Sequence, residues 1–298
     1  LSDLFTVDGQ IYGSMISGGA GIQPVYYNKK YFEKLGVQPP ATMDEFNKLL
    51  DTIKADGKDP LAVGGKDPWT IKIAFEQLYY SLNLEKYPKI KDALQNEQVK
   101  PSDIWASTLS YLHELVQKGY IGKSALTMSY DQSVQYFADG KAGLLIQGTW
   151  IPDLDAIKGA KDFELASFVM PLPKASDGKV HATATSDRTI VISASTKHPE
   201  EATLLYNFFL EKETLKQYNE SQNLTTLLPG VEVKLNPALD GFMTIYSDPG
   251  YVYHYNVGAG LVQAYDDGIN KTMQNILARS PVENELKELD QLFKDTRK

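Results

Sequence analysis

Residues 12–54 read YGSMISGGAGIQPVYYNKKYFEKLGVQPPATMDEFNKLLDTIK, and the order of local signals within them decides the fold. Ser17 to Gly21 is a run of small residues, read as a loop, where glycine permits positive φ or close approach of the backbone to a neighbour. Ile22 to Tyr27 is β-rich but contains Pro24, which cannot donate to a ladder, so the pattern predicts an edge strand or a bulge. Asn28 is placed to cap a short amphipathic helix that Gly36 ends as a left-handed C′ residue. Pro39 and Pro40 force extension. Thr42, with Glu45 three residues on, makes a capping box for a helix whose apolar stripe is Phe46, Leu49, Leu50 and Ile53.

Outward from this stretch, strand and helix patterns alternate. Pro60–Val63 reads as a short buried strand, followed by a helix from Thr70 to about Leu82. Pro101 opens a long helix to Lys118 with Ile104, Leu109, Leu112, Leu115 and Val116 at helical spacing, closed by Gly119. Ser129 caps a helix bearing Val134 and Phe137, and Ala142–Ile146 is a buried strand running into Gly148-Thr149-Trp150. Strands are expected at 163–170 and 189–193, and helices at about 197–210, 212–219, 261–277 and from 281 onward. The run from Asp248, DPGYVYHYNVGAG, reads as a tyrosine-rich loop. Strands separated by helical segments predict an α/β chain with mostly parallel pairing.

Bulk composition excludes several function classes. The 298 residues are 42 % hydrophobic and 11 % aromatic, ample for a packed core in one large domain or two ordinary ones. A net charge of −8 argues against nucleic acid or an anionic membrane as partner, since both need a basic face. There is no run of eighteen apolar residues to span a bilayer. With no cysteine there is no disulfide framework, thiolate metal site or cysteine nucleophile. His113, His181, His198 and His254 fall in no metal-binding spacing, so no metal or cofactor is implied. No P-loop, G-x-S-x-G or G-x-G-x-x-G occurs.

The ordered words YG, YYNK, FEKLG, PPATMDEF and GKAGLLIQGTW resemble the extracellular solute-binding proteins of sugar ABC importers, of which the maltodextrin-binding proteins are the best known. The similarity runs from Asp8 to about Leu292. It implies a type II periplasmic-binding-protein-like fold, α/β in two lobes with a hinge, and crossings near Gly18, Asp187 and Tyr251. The second lobe would comprise 22–186 and 250–298, and the first 1–21 and 187–249. In the resembled family several βα units of lobe 1 come before the YG word. Lobe 1 is therefore expected to be incomplete here, with an open sheet edge and an uncovered apolar face, the rest being absent or supplied by another polypeptide. Ligand would lie between the lobes, where strand ends meet helix N-termini.

A sugar offers hydroxyls around weakly apolar C–H faces, so its site needs an aromatic platform and planar polar side chains. Trp105 lies in a helical apolar pattern and reads as core. Trp69 and Trp150 stand where loop or strand passes into helix, flanked by small or polar residues, and match the family's acidic-then-aromatic pair (Asp67-Pro68-Trp69) and its binding-tryptophan word (Gly148 to Trp150). Asp67 also suits a helix cap. Ser186, Asp187 and Arg188 sit at a crossing between lobes, as a local turn or with their heads in the cleft. Tyr130, Tyr253, Tyr255 and Asn256 complete the candidates, and the family's acidic ligand in the crossing strand falls on Gly21. The favoured reading is a non-catalytic receptor for an extracellular carbohydrate, an oligosaccharide, delivered to ABC permease subunits, whether free in the periplasm or tethered as a lipoprotein by an upstream anchor. The alternatives are a glycoside-processing enzyme using Asp67 or Asp187, and an interaction domain with no competent cleft.

Overall fold

The computed structural model describes residues 5–226, 228–255, 257 and 261–296, with the backbone alone at 7 and 185–187. The local signals of the opening stretch are obeyed. The Asn28 side chain accepts the Lys30 N–H to start the helix Lys29–Leu35, and Gly36 ends it at φ 66°. Both arms of the Thr42/Glu45 capping box are made at the helix Met43–Ala55, whose Phe46, Leu49, Leu50 and Ile53 are buried. Each of these devices satisfies a backbone group that the helix leaves unpaired.

The strands among the described residues are β1 (Thr6–Val7), β2 (Gln10–Ile11), β3 (Ser14–Ala20), β4 (Pro24–Asn28), β5 (Asp59–Ala62), β6 (Ala142–Ile146), β7 (Leu165–Val169), β8 (Val180–Ile190) and β9 (Tyr251–Tyr255). They form a β1–β2 hairpin and two larger sheets, of order β5-β6-β4-β7 and β3-β8-β9. β4 is interior, with Val25 facing Ile146 on one side and Phe168 on the other. This corrects the edge expectation: Pro24 is the first residue of the strand, where a missing N–H is tolerated.

Mostly parallel pairing is also overturned. β4 runs antiparallel to both β6 and β7, and β3 to β8; β5–β6 and β8–β9 are parallel. In the four-stranded sheet β5, β6 and β7 run alike and β4 alone is reversed between β6 and β7. β4 is entered from the other sheet through Gly21, Ile22 and Gln23, so no crossover from an earlier strand of its own sheet sets its direction.

The small-residue run is strand, not loop. Gly19 and Gly21 serve close approach: a Cβ at Gly19 would collide with Thr225 Oγ1 and Tyr246 Oη, and one at Gly21 with Thr183 Oγ1. β8 is likewise longer than the strand expected at 189–193 and takes in Thr183 to Arg188, while the expected tyrosine-rich loop provides β9. β8 is shared along its length. Val180 to Ala184 pair with Tyr251 to Tyr255, and Ala184 to Ile190 pair back along Ala20 to Ser14, with register shifts around Ser17.

Alternation places the core on both faces of the four-stranded sheet. Val25, Tyr27, Leu144 and Ile146 pack with Phe46, Leu50, Ile71, Phe75 and Leu109. Tyr26 and Leu145 point the other way, into Phe137, Val134 and Ile151. A strand covered on both faces needs no polar alternation, which accounts for the run AGLLI. Trp105 is core, as its helical setting indicated: 2 % exposed and stacked on Tyr79 at 4.0 Å.

Beyond β8, the helix Lys212–Ser221 docks on β3 through Asn219, whose Nδ2 donates to the Ile16 carbonyl at 2.8 Å. The preceding helix, Pro199–Leu210, buries none of its residues. Leu204, Leu205 and Phe208 are 70 %, 58 % and 51 % exposed, a row of apolar side chains open to solvent.

Candidate functional site

The site grows from two glycines. Gly64 and Gly65 follow β5 and let the chain press against the segment before the helix Tyr130–Ala138; a Cβ at Gly64 would meet the Ser129 carbonyl, and one at Gly65 the Ala125 carbonyl. The Gly65 N–H donates to Ala125 and that of Lys66 to Met128, so the next residue is held beside the start of that helix. Asp67 therefore caps a helix other than its own. No side chain caps the helix Trp69–Asn83, whereas Asp67 Oδ2 accepts the Tyr130 N–H at 2.7 Å. A carboxylate on the first N–H of a helix satisfies an orphan donor and meets the positive end of the dipole.

Around this contact the aromatics assemble. The Trp69 and Tyr130 rings are 5.0 Å apart at 46°. The Trp150 indole Nε1–H donates to Tyr130 Oη at 2.7 Å. The six-membered ring of Trp150 lies where a Cβ on Gly148 would be, and the Gly148 carbonyl accepts Tyr26 Oη–H at 2.8 Å. Burial raises the Tyr130 hydroxyl above its ordinary value, with the Trp150 N–H pulling partly the other way. One turn into the helix from Trp69, Lys72 is ion-paired with Asp266 and lies 4.0 Å from Glu76, whose carboxyl burial pushes up.

Trp150 also walls a hollow of about 150 Å³ whose other sides include Ile73, Gly21, Gln23, Thr225 and Tyr246. It opens where the chain passes from one sheet to the other. Tyr246 Oη accepts the Ala20 N–H at 3.1 Å and contacts Thr225 Oγ1 at 3.3 Å, tying distant segments to β3.

The structure thus brings together Asp67, Trp69, Tyr130 and Trp150. It places Arg188 elsewhere: on β8 opposite Ser17, with Nη1–H donating to Tyr218 Oη at 2.7 Å on the helix Lys212–Ser221. The backbone of Ser186 faces Gly18 in the same sheet; the side chains of Ser186 and Asp187, and Asn256 altogether, lie outside the described residues. Tyr255 ends β9 opposite Ala184, in the row that contains Ala20, and is exposed. Tyr253 instead donates its hydroxyl to the Ile245 carbonyl and stacks between Tyr246 and Tyr251. Gly21 has no room for a side chain and so offers no acid. Ile73, Thr225 and Tyr246 carried no sequence signal. Among the described residues, no three or more histidines, cysteines, aspartates and glutamates are grouped to hold a metal ion, and no helix is long and apolar enough to cross a membrane.

A pair of sheets joined by crossing strands, with an aromatic-walled hollow at the crossing, defines a class built to hold a small solute. The chain belongs to the bacterial extracellular solute-binding proteins, whose family model matches residues 8–216. The multiple sugar-binding protein of Streptococcus mutans is 28 % identical over 263 residues, 85 % of this chain and 60 % of that one. The chain therefore spans less than two thirds of that relative's length. Among solved structures, a chitin oligosaccharide binding protein superposes with a TM-score of 0.81 at 19 % identity, covering 100 % of this chain and 74 % of its own. The protein RafE in complex with raffinose gives 0.76 at 22 %, covering 100 % and 76 %. These likenesses establish the fold: α/β in the two-lobed manner of solute-binding proteins.

Proposed function

We propose that this chain is the carbohydrate-receiving component of an ABC importer, a binding protein and not an enzyme, with the sugar held at the crossing between the lobes. The observation that carries the reading is the meeting of Trp69 and Trp150 on Tyr130 beside the Asp67 carboxylate. Two indoles and a carboxylate supply stacking surface for C–H faces and an acceptor for hydroxyls. The sugar-binding names of the relatives accord with it. Residues 1–21 with 187–249 make one lobe and 22–186 with 250–298 the other; in support, the four-stranded sheet falls wholly within the second and helices 199–210 and 212–221 within the first, whereas 237–246 pack on β7 of the second. Tyr255, exposed at the end of β9, faces the cleft when the lobes close, and the closed, loaded form engages the permease subunits.

The test is thermal melting against raffinose, stachyose, chitin oligosaccharides and galactose, with the sugar assayed over hours. A ligand at a hundred times its Kd adds about 2.7 kcal/mol, a shift of a few degrees. A shift with the sugar intact, lost in Trp150→Ala, is the expected result. A shift accompanied by cleavage of the sugar overturns the receptor in favour of a glycoside-processing enzyme.

A further inference from the structure

Tyr130 joins parts of the chain that have no local reason to meet. Its backbone N–H is on Asp67, from the loop after β5, and its ring against Trp69, the first residue of the helix that follows, while its hydroxyl is on Trp150, from the loop after β6. A tryptophan at a loop junction has two free side-chain torsions, and ordering it at the moment of binding costs affinity. Here both torsions are constrained: the six-membered ring is seated over Gly148 and the five-membered ring is held at Nε1. Indole nitrogen is a donor only and has one proton to give. With that proton committed to Tyr130, Trp150 presents a π-face and no polar edge, which suits the C–H side of a sugar ring.

Resting on the receptor reading above, we propose that Tyr130 is a positioning residue for carbohydrate binding: it fixes Trp150 through the indole N–H and braces Trp69 with its ring, so that both indoles are preset before the sugar arrives. Its hydroxyl serves the protein and not the ligand. The Asp67 oxygen bound to the Tyr130 N–H holds the helix start in place and thereby sets where the phenol ring stands.

Tyr130→Phe tests this, because it retains the ring and the backbone N–H and removes the hydroxyl alone. The chain has three tryptophans, so ¹⁵N-labelled protein gives three indole N–H resonances, and Trp150→Phe identifies which belongs to Trp150. In Tyr130→Phe without sugar, the Trp150 resonance is expected to move upfield as its hydrogen bond is lost, with those of Trp69 and Trp105 nearly unmoved. Affinity for whichever of raffinose or chitin oligosaccharide shifts the wild-type melting temperature is expected to fall about tenfold. In a Trp150→Phe background the same change is expected to cost less than about twofold, since there is no indole N–H left to hold. An unmoved Trp150 resonance overturns the proposal. So does a full tenfold loss persisting in the Trp150→Phe background, which would mean that the hydroxyl touches the sugar directly. Should the wild type bind none of these sugars, the receptor reading falls and the role in binding with it; should it bind them and Tyr130→Phe bind equally well, the receptor stands and the positioning role falls.

Discussion

Trp105 and Trp69 stand in opposite settings, and substitution separates them. Trp105 is buried against Tyr79, so Trp105→Ala removes core volume and is expected to cost about 3–5 kcal/mol in chemical denaturation. Trp69 is 41 % exposed, so Trp69→Ala is expected to cost about 1 kcal/mol or less in the same assay. Sugar affinity measured by calorimetry should show the reverse order in the folded variants, with Trp69→Ala losing about 1–2 kcal/mol, roughly tenfold in Kd. Gly148→Ala is a third case. Its Cβ collides with the Trp150 ring, so an overpacking cost of about 1–3 kcal/mol and a displaced indole are expected together, seen as lower denaturation midpoint and altered tryptophan fluorescence. The exposure of Trp69 and the core setting of Trp105 were legible because flanking residues report on them: small and polar around one, helical apolar spacing around the other. Tyr130 was legible as a candidate but not in its role. Its partners are 63 and 20 residues away in sequence, and nothing local says that a phenol will meet an indole.

Elements show the same division between near and far. The caps at Asn28, at Thr42 with Glu45 and at Ser129 were read correctly, each with its partner within four residues; the helix Pro199–Leu210, for which Ser195 or Thr196 was the expected cap, has no side-chain cap. Thr42→Ala is expected to lower stability by about 1 kcal/mol by urea titration without altering sugar affinity, the helix being held otherwise by its buried stripe. Sheet pairing was misread because strand direction depends on how the chain enters, which periodicity does not encode. Pro24 seemed to demand an edge, yet its position at the first residue of β4 removes the demand. Gly19 and Gly21 suggested a loop because their neighbours, Thr225, Tyr246 and Thr183, are far along the chain. The helix Pro199–Leu210 has the opposite lesson: its presence was legible, its lack of cover was not a local property. Leu204 and Phe208 are exposed, so L204E with F208E is expected to leave the unfolding free energy within about 0.5 kcal/mol per site while reducing dye binding and self-association in sedimentation.

At the scale of the whole molecule, the join between β8 and β9 carries a pH dependence. His181 Nδ1 and His254 Nε2 are 2.8 Å apart across these strands, and His181 Nε2 is 3.2 Å from Asp177. Burial, and then the neighbouring His181, lower the His254 pKa from its ordinary 6.5. A base whose folded pKa is depressed takes its proton more readily when unfolded, so below pH 6.5 the unfolded state binds more protons and stability falls as pH drops towards the folded pKa. The urea midpoint is expected to fall from pH 7.5 to pH 5 in wild type and to fall less in His254→Gln; equal slopes would remove His254 from the account. The passage between β3 and β4 has a different consequence. Three residues extend to at most about 10–11 Å, and β8 is fixed as well by Val180 and Ala182, which lie in one core with Val25 and Tyr27 of β4. A solute arriving beside this passage therefore meets walls already joined, and little order remains to be imposed on them. The same shortness makes the passage intolerant of added length: an inserted residue displaces Gly21 and Gln23 from the wall of the hollow, so lengthening at 21–23 weakens capture in a way that equal lengthening of an exposed loop such as 174–179 does not.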